Sequence, residues 1–301
     1  MRRTSLVPHR FVAILALVSG LAVAAPASAQ DTTSTANARP TAEGSIAVLT
    51  LRDGSVLQGR VLEVTPTHVR FASSLGETLV LRTSIRELRV ASGEQVRDGE
   101  VWPEDPSRTR LFFAPTGRTL RQSEAYFADA YIFFPSFQIG VSNSFSLGAG
   151  MSIFPGVGLD NQIYYLTPKL GVFASPRLNV SVGALVAGAA LVSDNSPFGI
   201  GYGVATFGGE HSNFTAGGGL AYSRDAVAST SPLLMGGGVV RTSRNIALVS
   251  ENYLLLGDDA IGLFSGGVRF IGERLSVDLA GFFASGSSTP VPYVAFIYRL
   301  P

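Results

Sequence analysis

From Tyr126 onward the chain keeps a two-residue period over most of its remaining length. Phe145, Leu147, Ala149, Met151 and Ile153 alternate with Ser146, Gly148, Gly150 and Ser152. Just upstream, Phe137, Ile139 and Val141 alternate with Ser136, Gln138, Gly140 and Ser142. The 24 residues from Tyr131 to Phe154 carry no formal charge, so by length alone they would span a bilayer as a helix. A membrane helix is apolar on every side, whereas here only one parity is apolar. The glycines and Pro135 also disfavour a helix. Two strands joined at Asn143-Ser144 fit better, because that pair has turn chemistry.

The same unit recurs to the end. "IYYLTPKLGVFA" and "LNVSVGALVAGAALV" flank Ser175-Pro176-Arg177, and "GIGYGVATFG" and "FTAGGGLAYS" flank residues 209–213. "PLLMGGGVVRT" and "IALVSENYLLLG" flank Ser243-Arg244-Asn245, "IGLFSGGVRFIG" and "LSVDLAGFFAS" flank Glu273-Arg274, and "VPYVAFIYRL" closes the chain. Segments of this length match the ~9–11 residues a tilted strand needs to cross a bilayer. With 126–142 counted as one strand, eleven strands follow Tyr126, and tight turns alternate with looser connections. In bacterial barrels the short turns are periplasmic and the strand number is even. "TRLFFAPTGR", 109–118, is read as the strand that completes twelve and brings both barrel ends to the periplasm. The expected fold is all-β: a transmembrane antiparallel β-barrel of about 12 strands over 109–301.

Composition separates this from a soluble β-sandwich or lectin-like domain. From Ala125 onward there are ten acidic and eight basic residues in 177, and mean hydropathy is +0.29 for the whole chain. A soluble sandwich exposes outer faces rich in Lys and Glu. A soluble secreted all-β binding protein is therefore the minor alternative.

The N-terminus reads as a secretory signal peptide, 1–29. Arg2, Arg3 and Arg10 form the basic region, Phe11–Ala25 the apolar region, and Ala27-Ser28-Ala29 the cleavage motif before Gln30. No Cys follows, which excludes lipoprotein anchoring, and none occurs anywhere, which excludes disulfides and thiolate metal sites. Residues 30–44 read as a flexible linker and 93–108 as a second one.

Between them, 45–92 alternates in short runs broken by turns at Asp53-Gly54, Thr65-Pro66-Thr67 and Ser74–Glu77, the pattern of a small antiparallel β module. The order L-x-D-G-x-x-x-x-G-x-V, Leu51 to Val61, resembles the first motif of Sm-like and SH3-like small barrels. The resemblance implies a fold. The RNA binding of cytoplasmic Sm-like domains is not carried over, because this copy is expected to be exported and lacks a basic face. "RLFFAPTGRTL" and "EAYFADAYIFFPSFQIGVSNSFSLGAGMS", within about 109–154, resemble the barrel start of a group of uncharacterised bacterial outer-membrane proteins. That resemblance implies a barrel and brings no activity or ligand.

Charges on strands are the informative ones, since a lipid-facing Arg or Lys costs ~2–4 kcal/mol at the midplane. Asp129, Lys169, Arg241, Glu251, Arg269, Asp278 and Arg299 are the candidates for the lumen. A two-residue turn at Glu273-Arg274 puts Arg269 opposite Asp278. These charges form either a selectivity lining or an internal ion network in a filled lumen. Their mixed signs weigh against a charge-selective pore. Aromatics at 112–113, 126–137 and 282–283, with Tyr293, Phe296 and Tyr298, are expected to form interfacial belts.

No catalytic, cofactor-binding or metal-binding residues are assigned. His68 lies in the small module and His211 in a tight turn, where the adjacent Ser212 and Asn213 cannot converge with it as nucleophile and base, which weighs against a hydrolase. The Gly-rich "GAGMSIFPGVG" and "FTAGGGLAY" precede no helix, so the dinucleotide reading fails. The expected function is a non-enzymatic bacterial outer-membrane barrel, either a narrow porin-like channel for small solutes or a structural envelope protein. The alternative is a membrane-anchored interaction protein whose 45–92 module docks an envelope partner. Outer-membrane lipid and the barrel-assembly machinery are the other expected partners, and nucleic acid is not.

Overall fold

The computed structural model describes residues 43–73, 76–91, 95–97, 100–189, 198–223, 231–257, 260–287 and 289–301. The signal-peptide reading, with Ala27, Ala29 and Gln30, lies outside the described residues, as does nearly all of the 30–44 linker. Two units can be described, dividing near residue 104.

The first unit is a small antiparallel sheet of β1 (Ile46–Leu51), β2 (Val56–Val64), β3 (His68–Ser73), β4 (Gly76–Leu81) and β5 (Ile85–Val90), in the order β4-β3-β2-β1-β5. Ala47, Leu49, Val61, Val69 and Phe71 are buried together, as the period-two pattern requires. Gly54 takes φ +89°, and Asp53 accepts the Ser55 N–H at 2.8 Å, which makes the first turn. A short hairpin of β6 (Val96–Arg97) and β7 (Glu100–Val101) follows.

The second unit is the barrel. Its strands are β8 (Ala125–Ala130), β9 (Phe134–Gly140), β10 (Phe145–Met151), β11 (Ile163–Leu166), β12 (Lys169–Ala174), β13 (Leu178–Ala189), β14 (Phe198–Gly208), β15 (Ser212–Ser223), β16 (Ser231–Ser243), β17 (Ile246–Leu255), β18 (Ile261–Ile271), β19 (Leu275–Ala284) and β20 (Val291–Arg299). β11 and β12 both pair with β10 and β13, so they are one strand interrupted at Thr167-Pro168, where proline has no N–H to give the ladder. Counted so, twelve antiparallel strands among the described residues form one sheet. It closes on itself where β20 pairs with β8, from Ala295↔Ala130 to Arg299↔Tyr126. Both ends of the barrel lie at the rim that carries the tight turns, here the turn rim. The opposite end is the loop rim.

The twelve-strand count holds, but its membership differs from the expectation in two places. Residues 126–142 are two strands, not one. Tyr131 (φ 56°) and Ile132 (φ 69°) turn the chain in the left-handed region, which bulky and β-branched residues rarely enter. With no Gly, Asn or Pro at the turn itself, "AYIFF" reads as an unbroken strand. Conversely, 109–118 is not a wall strand at all.

Candidate functional site

Residues 105–120 run inside the barrel. Leu111 N–H donates to Ala114 O (2.8 Å), Thr116 N–H donates to Thr109 O (3.0 Å), and Arg110 bridges to Pro115, so the segment is a tight hairpin. Its ends are tied near the turn rim. Arg118 donates to Gly208 O (3.1 Å) and Gly209 O (2.7 Å), and Thr119 Oγ1 donates to Asn143 O (2.8 Å). Its tip, Phe112 to Ala114, reaches the middle of the wall at Glu251. An eight-stranded barrel is filled by its own side chains, and 16–18 strands leave a channel. Twelve strands leave a space of intermediate width, and the hairpin occupies part of it.

A hairpin lying off the sheet leaves most of its backbone N–H and C=O groups without ladder partners, and the inner wall supplies them. Thr206 Oγ1 accepts the Gly117 N–H at 2.7 Å, and Ser146 Oγ accepts the Leu120 N–H at 3.1 Å. Ser181 Oγ donates to Thr116 O at 3.3 Å. Beside these backbone contacts, the Ser107 and Ser276 hydroxyls share a side-chain hydrogen bond at 2.7 Å. The small polar parity of the strands is thus a set of receptors for the hairpin backbone.

The charges do the same at closer quarters. Glu251, 0% exposed, accepts three consecutive N–H groups on one oxygen: Phe112 (2.7 Å), Phe113 (2.8 Å) and Ala114 (2.9 Å). Its other oxygen accepts the Tyr253 hydroxyl at 2.8 Å. Successive amides converging on a carboxylate form an anion nest, and each bond is charge-assisted. Lys169, the only lysine in the chain, donates to the carbonyls of Thr109 (3.0 Å), Thr116 (3.3 Å) and Arg118 (2.6 Å), which uses all three of its protons. Arg269, also 0% exposed, forms a fork with Asp278 (2.7 and 3.0 Å). It reaches Asp105 at 2.9 Å and Leu111 O at 2.6 Å.

The structure therefore places Lys169, Glu251, Arg269 and Asp278 together on the hairpin, as anchors and not as a free lining. Arg241 is on the same inward parity of β16 and bonds Arg244 O near the turn rim. Arg299 shares the parity of the buried Ile297 at the end of β20. Asp129 departs from the expectation. It lies on the parity of Phe127, which packs against the outward Phe296, and its carboxylate accepts the Phe134 N–H (3.1 Å) across the Tyr131–Phe133 turn. It is a turn cap and not a lumen charge. Sequence reasoning passed over the hairpin's Asp105, Arg108 and Arg110. Asp105 and Arg108 fall within the segment read as a linker.

The aromatic belt reading is corrected in part. Phe112, Phe113, Phe282 and Tyr293 form an internal cluster with ring centroids 4.8 to 5.8 Å apart. Phe112 and Phe113 ride on the hairpin, so they cannot reach lipid.

Close packing of hairpin on wall depends on glycine. A Cβ on Gly117 would lie 2.0 Å from Asn179 O, and one on Gly237 would lie 2.7 Å from the Leu111 side chain. Gly117→Val is expected to push the hairpin off β13 and destabilise the barrel by about 1–3 kcal/mol or more. The temperature at which the compact form disappears on a heat-modifiability gel measures this. A variant indistinguishable from wild type would mean that the hairpin does not press on the wall there.

The outer surface is the converse of the inner one. Phe173, Phe207, Phe214, Val240, Phe264 and Leu279 are all about half exposed and point away from the lumen. A closed sheet leaves no edge, and an apolar exterior with few charges suits hydrocarbon and not water. The chain is a bacterial outer-membrane β-barrel.

No family model and no curated protein matches the sequence. Among solved structures, a KdgM porin in complex with disordered oligogalacturonate aligns with 59% of this chain and 98% of its own, at 8% identity and a TM-score of 0.44. Outer-membrane expressed OmpT of Vibrio cholerae aligns with 85% of this chain and 95% of its own, at 12% identity and a TM-score of 0.33. OccD1 (OprD) aligns with 57% of this chain and 59% of its own, at 6% identity and a TM-score of 0.33. The barrel assignment stands on the closed sheet of this chain itself.

Proposed function

We propose that this protein is a non-enzymatic, porin-like outer-membrane conduit held shut by its own 105–120 hairpin. What carries the reading is the spending of the lumen charges. Glu251, Lys169 and the Arg269–Asp278 pair bind hairpin backbone or side chain, so they are not free to line an aqueous path. With short turns facing the periplasm, as is usual for such barrels, the hairpin closes the periplasmic half. The selectivity-lining version of a small-solute pore has less support, since charge-selective pores present free rings of one sign.

The test is conductance in planar bilayers. The full chain is expected to stay near the lipid baseline. Replacing 105–120 by a Gly-Ser linker of equal length is expected to yield discrete steps. Open, porin-sized steps from the intact chain would overturn the reading.

A further inference from the structure

Alongside the hairpin, from Leu120 and Tyr126 near the turn rim to Leu185 and Ile261 toward the loop rim, the lumen is not filled. A cavity of about 260 Å³ remains there. Its walls include Phe113, Phe134, Tyr202, Leu233, Met235 and Leu263, and most of its remaining lining is also aliphatic or aromatic. Water-filled porin interiors are polar. An apolar enclosure is poorly wetted, and a dry constriction itself bars ions. Such a space is suited to an apolar guest. It exceeds the ~150 Å³ of an engineered apolar cavity that holds benzene, and it falls just short of the ~300–1,000 Å³ of common ligand pockets. One alkyl chain fits that scale better than a two-chain lipid.

Two cations line the cavity, and they differ. Lys169 has all three protons committed to hairpin carbonyls. Arg110 donates from Nε and Nη2 to the single carbonyl of Phe112. A guanidinium has five N–H donors, and no carboxylate pairs with Arg110 among the described residues. A charge in an apolar enclosure is costly until it is paired.

We propose that this cavity binds a single-chain amphipathic anion, a fatty-acid-like molecule whose alkyl chain lies against the aromatic and aliphatic walls and whose anionic head pairs with Arg110. The inference rests on the closed-conduit reading and names the class of molecule that its lumen takes. The head is a carboxylate or a phosphate monoanion, since both accept from a guanidinium fork.

The experiment is equilibrium dialysis of the full chain in amphipol. The probes are radiolabelled dodecanoate, lysophosphatidylglycerol with a twelve-carbon chain, and neutral dodecanol. Saturable one-to-one binding of one or both anions is expected, about tenfold tighter than dodecanol for a charge-assisted contact. The tighter anion identifies the head group. Arg110→Gln is expected to abolish that tenfold preference while leaving dodecanol bound. Met235→Trp, which fills the cavity, is expected to abolish binding of all three while the gel still shows the compact barrel. Non-saturable uptake, or uptake unchanged in both variants, would be surface partitioning and would overturn the proposal. No dodecanoate or lysolipid binding, alongside a conductance that appears only when 105–120 is replaced, would sink this inference and leave the closed-conduit reading intact.

Discussion

Glu251→Ala is expected to unlatch the hairpin and turn a silent barrel into one that opens intermittently. The alanine leaves the N–H groups of Phe112, Phe113 and Ala114 buried with no acceptor, and it also strips the Tyr253 hydroxyl of its partner. Each orphaned donor costs roughly 1–3 kcal/mol, so three together outweigh most single anchors that hold the hairpin. The bound and displaced forms of the hairpin then come close in energy. Single-channel recordings are expected to show brief openings of the size seen when 105–120 is replaced. Glu251→Gln keeps one carbonyl oxygen aimed at the nest and is expected to open far less often. Recordings from Glu251→Ala as quiet as wild type would mean that this carboxylate does not hold the lumen closed.

The second large effect concerns stability. Arg269→Leu removes the cation that bridges two carboxylates, Asp105 at 2.9 Å and Asp278 at 2.7 Å. Breaking a buried ion pair from one side costs about 3–5 kcal/mol, because the charge left behind is desolvated and unpaired. Here two charges are left behind, so the upper end of that range is expected. Unfolding in guanidinium chloride, followed by loss of the compact gel band, measures it. The triple variant Arg269→Leu, Asp105→Leu, Asp278→Leu removes the bridging cation and both of its carboxylates together. It is expected to recover much of the loss, since an apolar replacement of a whole buried network is often close to neutral. If the triple variant is no more stable than Arg269→Leu, the cluster's value lies in the hydrogen bonds to Leu111 O and Ser107 and not in charge balance.

How far the site was legible before folding depends on sequence distance. Arg269 and Asp278 are nine residues apart across a short turn, so parity and turn length are enough to set them opposite each other. Glu251 could be assigned to the inward face by the cost of a lipid-facing charge, yet its three hairpin partners lie 137 to 139 residues away. No periodic rule links them. Asp129 shows the limit of the charge rule. At a turn a carboxylate finds a local N–H and escapes both lipid and lumen.

Local pattern alone determined the alternation of the wall, ten-residue strands, apolar exterior and scarcity of charge, because each of these is set by residues two apart and by the solvent on each face. Only the tertiary structure decided what 105–120 is. The segment "TRLFFAPTGR" has strand-like composition and would serve as a wall strand if an edge were free. None is: the Tyr131–Phe133 turn makes β8 and β9 separate strands, β20 pairs with β8, and the sheet closes without it. A hydrophobic segment denied a sheet edge goes where its backbone can still be satisfied. The Ser, Thr, Lys and Glu side chains of a twelve-stranded lumen supply that place.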